Sequence, residues 1–160
     1  MPNLTVDSIH IRLATPNDIA TLTAFNQAMA WETEGKELAP ATIMAGVRGI
    51  FAAPERGFYL VAERDAQVVA ALMVTTEWSD WRNGNFWWIQ SVFVQPEFRR
   101  QGIYRRMYDF IKELASQDSQ VCGFRLYVEQ ANHRAQATYT ALGMEESPYR
   151  LYEELKSPRP

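Results

Sequence analysis

Val92-Phe93-Val94-Gln95-Pro96-Glu97-Phe98-Arg99-Arg100-Gln101-Gly102-Ile103-Tyr104 is the stretch whose reading decides the fold. An apolar strand that stops at a proline, crosses a short basic loop around one glycine and enters an amphipathic helix ending near Ser116 is a device for holding phosphate. The first backbone N–H groups of a helix have no intrahelical partners, and the helix dipole places about half a positive charge there. Gly102 lets the backbone approach an anion, while Arg99, Arg100, Arg105 and Arg106 add charge around it. Taken alone, the same residues also fit a loop with a solvated basic face.

A second segment narrows the choice. Asn132-His133-Arg134-Ala135-Gln136-Ala137-Thr138-Tyr139-Thr140-Ala141-Leu142-Gly143-Met144 follows the strand-like residues 124–129. It has the form of a helix with Asn132 near its start and Gly143 just past its end. The two motifs, in this order and at this separation, resemble those of the GNAT family of N-acetyltransferases. Members carry a strand ending in Val-x-Pro, an Arg/Gln-x-x-Gly-x-Gly/Ala loop opening a helix, and later a strand followed by Asn-x-x-Ala-x-x-x-Tyr. Arg99, Gly102, Asn132, Ala135 and Tyr139 occupy matching positions, whereas Tyr104 stands where the family usually has Gly or Ala. Its N–H can still donate to a phosphate, but its ring must point away from the cofactor.

The resemblance implies an α/β fold with a mixed sheet, an antiparallel meander plus a βαβ crossover, and helices on both faces. It implies acetyl-coenzyme A as donor and an amine as acceptor, and the residues themselves, with one cysteine and two isolated histidines, lead to the expectation of no metal. Carried over residue by residue, the cofactor would be held by Val92, Phe93 and Val94 at the end of the strand, by Arg99, Arg100, Gln101, Gly102, Ile103, Tyr104 and Arg105 in the loop and helix start, and by Asn132 and Tyr139. Tyr139 matches the position of the family's general acid, and its phenol, with a reference pKa near 10, holds a proton to give at neutral pH. Packing of the Tyr139 ring on the sheet, and a plain helix cap at Asn132, are the structural alternatives.

An alkylamine is mostly ammonium at pH 7, so a group must accept its proton. Gln90 and Ser91 stand where polyamine-acetylating relatives carry acids, and neither is a base at neutral pH. Glu32 and Glu34, in Trp31-Glu32-Thr33-Glu34, look like the acidic segment lining the acceptor site of diamine-type relatives; Glu77 and Asp80 are further candidates. Each of these acids also fits a solvated loop, but together they favour a cationic acceptor.

The 160 residues, 47% of them apolar, suffice for one domain over 1–160, with 156–160 expected as a loose tail. A formal net charge of −3 argues against a general nucleic-acid binder. Cys122 is the single cysteine, which excludes an intramolecular disulfide and a cysteine-built metal site and suits a reducing cytoplasm. Neither a leader nor a membrane-length apolar run is visible, and Asn3-Leu4-Thr5, without a leader, is expected to be a chance glycosylation sequence. His10 and His133 lack a second ligand at metal spacing.

Along the chain, Ile9, Ile11 and Leu13 alternate as a first strand. Thr15-Pro16-Asn17-Asp18 starts a helix expected to reach about Ala30, and a second helix covers 41–52 before Pro54. Residues 58–63, 68–78 and 86–94 form strands of a meander, the last two joined at Asn83-Gly84. In the third strand, simple alternation places Trp87, Ile89 and Phe93 on one side and Trp88, Val92 and Val94 on the other. A parallel strand is expected over 121–128 after the helix, with the cofactor gap between 92–94 and 126–128, and a last edge strand over 149–155. Apolar residues on that last strand would permit a homodimer.

The reading is thus a cytoplasmic acetyltransferase acting on a small-molecule primary amine, with no nucleic-acid or membrane partner. The alternatives are a non-catalytic acyl-coenzyme A sensing module, or an acetyltransferase of protein or peptide amines.

Overall fold

Two turns organise the sheet. In the computed structural model, which describes residues 8–157, Asp65 and Ala66 take φ of 51° and 62°, the left-handed pair that matches the twist of two joined strands. They connect β2 (Gly57–Arg64) to β3 (Gln67–Ser79), and a turn ending at Asn83, φ 48°, connects β3 to β4 (Gly84–Val94). Both pairs are antiparallel, with Leu60 opposite Leu72 and Val74 opposite Ile89. At one edge β1 (His10–Leu13) adds to β2; at the other β5 (Val121–Arg125) lies parallel to β4, so the order is β1-β2-β3-β4-β5. Gly57 admits no side chain, because at φ 144° a Cβ would sit 1.9 Å from the carbonyl oxygen of Val74.

The expected helix start at Thr15 is present as a 3-10 turn, Pro16–Asp18, feeding α1 (Ile19–Glu34). Asp18 accepts the Thr15 N–H at 2.8 Å and two bonds from the Arg12 guanidinium at 2.8 and 2.9 Å. Arg12 also reaches Glu63, so the buried Asp18 is both paired and hydrogen-bonded, as a carboxylate out of water must be. α1 runs on past residue 30 to Glu34, so Trp31-Glu32-Thr33-Glu34 is its last turn rather than a loop. Gly35, φ 61°, ends it, its N–H bonding to the Trp31 carbonyl at 3.0 Å. α2 (Pro40–Ala52) begins at its proline, α3 (Ile103–Ser116) joins β4 to β5, and α4 (His133–Ala141) follows.

Helices α1 and α2 cover one face of the sheet through Leu22, Phe25, Val47 and Ile50, packed on Tyr59, Val61, Ala71 and Phe93. Leu22 alone, fully buried, contributes about 1.5–3 kcal/mol relative to an exposed side chain. On the other face the buried Met107, Tyr108 and Ile111 of α3 accompany an aromatic chain, Tyr108 on Phe124, Phe124 on Trp87 and Trp87 on Phe58.

The faces of β4 differ from simple alternation. Phe93 packs with Phe25 on the α1 side at 4.9 Å, while Trp87 packs with Phe58 and Phe124 on the α3 side. The cause is a bulge: the β3–β4 register shifts between Ala71 and Met73, and Ser91 takes φ 52°. One extra residue reverses every side chain beyond it.

β5 is shorter than expected, ending at Arg125; its ladder with β4 spans only Asn85 to Trp88. Residues 149–155 do not form the expected edge strand. Strand-like composition does not suffice without a neighbouring ladder to pair with, and Tyr149, Leu151, Tyr152 and Leu155 stay exposed. The backbone divides into two compact units between Leu126 and Tyr127; the sheet, α1, α2 and α3 belong to the first and α4 to the second. Among the described residues no helix is long and apolar enough to cross a membrane. Asn3-Leu4-Thr5 and residues 158–160 of the expected tail lie outside the described residues.

Candidate active site

The bulge of β4 and the last turns of α1 border an open cavity of about 240 Å³. Val92, Phe93 and Val94 line it from the strand, Met29, Glu32 and Thr33 from the helix, and Arg99 from the loop after Pro96. Extension of α1 to Glu34 carries Glu32 to this wall. The Arg99 guanidinium forms a fork with its carboxylate, Nη1 to Oε1 and Nη2 to Oε2, the latter at 2.8 Å. Arg99 Nε donates to the Val94 carbonyl at 2.8 Å, and the guanidinium lies 5.6 Å over the Phe93 ring. The Arg99 hydrogen bonds hold the Glu32 carboxyl below its ordinary range, and Glu32 in turn raises Arg99.

Glu34 takes no part in this wall; it pairs with Lys36 at 3.3 Å on the surface. Glu77 is bonded to Arg125 at 2.6 Å, and Asp80 accepts the N–H of Trp81 at 2.9 Å.

Three residues beyond Arg99, Gly102 caps α3 at φ 75°, and the space where a Cβ would stand is open. Ile103, 2% exposed, anchors the helix start in the core. Arg100, φ 62°, and Arg105 are exposed and make no ion pair among the described residues, while Arg106 donates to the Ile9 carbonyl at 2.7 Å. Gln101 bonds back to the Glu97 carbonyl at 3.1 Å. Tyr104 lays its ring beside Tyr108, 6.4 Å between centroids, the neighbour that the larger residue finds in place of the usual Gly or Ala. An open glycine at the start of a 14-residue helix, with two uncommitted arginines beside it, suits a phosphate ester.

In the second unit Asn132 caps α4, its Oδ1 accepting the Ala135 N–H at 3.1 Å, and Gly143 follows the helix at φ 96°. Tyr139 is half-buried, and burial pushes its phenol above the ordinary value. His10 and His133 are exposed, and no group of three or more His, Cys, Asp or Glu residues suited to a metal ion occurs among the described residues.

Sequence reasoning missed the tie between Glu32 and Arg99. The partners are 67 positions apart, and no local pattern marks such a pair. The extension of α1 that makes it possible did carry a signal, Gly35 after Glu34.

The sequence profile of the acetyltransferase (GNAT) family matches residues 20–144. The chain belongs to the GNAT acetyltransferase family. Curated protein sequences include no match to it. Among solved structures, this GNAT acetyltransferase is 45% identical to a possible acetyltransferase from Clostridium difficile 630, over 92% of this chain and 97% of that one, with a TM-score of 0.86. The GNAT fold is also shared with AAC(6')-Iy in complex with a bisubstrate analog, CoA-S-monomethyl-acetylneamine, at 14% identity, 92% and 98% coverage and a TM-score of 0.76. Glucosamine-6-phosphate N-acetyltransferase from Arabidopsis thaliana matches at 16% identity, 92% and 99% coverage and a TM-score of 0.70.

Proposed function

We propose that this acetyltransferase moves the acetyl group of acetyl-coenzyme A to the primary amine of a small molecule by direct attack, its two units acting as one catalytic domain. The observation that carries this is the bulged strand of β4 opening onto a cavity that also holds a carboxylate, Glu32. AAC(6')-Iy and the glucosamine-6-phosphate enzyme, whose names specify small amines, share the fold and support the acceptor class.

Bound acetyl-coenzyme A supplies an acetyl group activated as a thioester. The N–H groups that open α3, at Ile103, Tyr104 and Arg105, together with the loop at Arg100, Gln101 and Gly102, hold the pyrophosphate. Backbone N–H groups at Val92 or Val94 donate to the carbonyl oxygen as it gains negative charge, so stabilisation needs no side chain there. Glu32 draws in the ammonium form of the acceptor and takes up, directly or through water, the proton that the nitrogen must shed before its lone pair attacks the thioester. Tyr139 gives its proton to the departing thiolate, and burial keeps that proton in place until it is needed. Asn132 orients the start of α4 and contributes its amide N–H₂ to the pantetheine arm. The protein works in the cytoplasm, and a homodimer is the proposed assembly.

Release of coenzyme A thiol from acetyl-coenzyme A, measured against polyamines, lysine analogues, amino acids, aminoglycosides and peptide N-termini, tests this. Release with one class of small amine supports the proposal. Release only with peptides, or none from any amine despite tight cofactor binding, overturns it.

A further inference from the structure

Arg99 begins the loop that should receive the cofactor phosphates, yet its two Nη groups are both turned onto Glu32. We propose that Glu32 and the cofactor phosphates compete for Arg99, so that the Glu32–Arg99 pair is a latch that cofactor binding opens. The inference rests on the acetyltransferase reading above.

Three features make the exchange feasible. Arg99 and Glu32 side chains are 37% and 46% exposed, and ion pairs so open to water contribute little, so a multiply charged anion at a helix start outweighs one carboxylate. Arg99 sits on a flexible stem whose planar guanidinium turns as one unit, so the fork can leave Glu32, giving up its Nε bond to the Val94 carbonyl as well, and turn to the phosphates of the same loop. A planar fork also suits phosphate as well as carboxylate, so one guanidinium can serve either partner.

The exchange has a consequence at the cavity. Once Arg99 turns to phosphate, the Glu32 carboxylate is left unpaired on the wall beside Val92 and Val94, where an ammonium can replace the lost cation.

The test is calorimetric titration of coenzyme A into the wild type, Glu32→Gln, Arg99→Gln and the double variant, with thermal melts to confirm folding. Removing a competitor predicts that Glu32→Gln binds coenzyme A about 3- to 10-fold tighter than the wild type, and that Arg99→Gln binds more weakly. In the Arg99→Gln background the added Glu32→Gln change should bring no gain, because the competition runs through Arg99. Equal or weaker binding by Glu32→Gln would show that Glu32 merely holds Arg99 in place, and would overturn the latch. A gain that persists without Arg99 would reduce the effect to general charge and overturn it equally. Should Glu32→Gln fail to fold, Glu32→Asp, which keeps the charge but shortens the fork, must show the same direction. A wild type that binds no coenzyme A would instead refute the acetyltransferase reading itself.

Discussion

Trp87 and Phe93 lie on one strand an even number of residues apart, yet their rings face opposite sides of the sheet. Trp87 meets Phe58 and Phe124, and Phe93 meets Phe25 of α1. The bulge between them does more than turn the strand. It brings Phe93 under Arg99 and places Val92 and Val94 on the cavity wall, so the packing irregularity and the candidate active site are one feature.

Ser91 at φ 52° holds the bulge in a conformation that β-branched residues adopt only under strain. Ser91→Val should therefore be less stable than Ser91→Gly by about 1–2 kcal/mol, read from urea unfolding. Equal stabilities would mean that the bulge does not require the left-handed backbone.

Gly102→Glu should abolish coenzyme A binding by placing a carboxylate in the proposed phosphate cradle. Gly102→Ala is the control, since it carries the same strain at φ 75° without the charge and has open space for its methyl group. Loss of binding in the first and substantial retention in the second, by calorimetry, is the expected pair of results.

Tyr139→Phe should lower kcat by more than tenfold with coenzyme A affinity nearly unchanged, because in the proposed mechanism the phenol acts on the leaving thiolate and not in the ground state. Burial raises the Tyr139 pKa, so any alkaline loss of activity caused by its ionisation should fall above about 10. A pH–rate profile on the wild type and the variant checks both points.

Asp18 gives a pH dependence of stability. Hydrogen bonds from Arg12 hold its carboxyl below the ordinary range in the folded protein. A depressed folded pKa stabilises fully above the unfolded value, about 3.9, and that contribution is lost as pH falls through the folded value. Asp18→Asn should cost about 1–3 kcal/mol at pH 7, with the gap to wild type closing below about pH 4 in chemical denaturation.

Local chemistry by itself determined much of this protein. Pro16 and Asp18 after Thr15 start a helix, the turns at Asp65 and Asn83 set two hairpins, and the amphipathic period from Tyr104 to Ala115 declares α3, since each depends on residues a few positions apart. The glycine turn at Gly102 that opens α3 and the helix capped by Asn132 were legible for the same reason. Tertiary structure decided the rest. Whether Ser91 bulges depends on the strand paired with it, and whether residues 149–155 become a strand depends on a partner ladder that composition does not provide. Glu32 became a partner of Arg99 because α1 and the loop after β4 fold to the same wall, and separation along the chain hides such a meeting until the backbone closes.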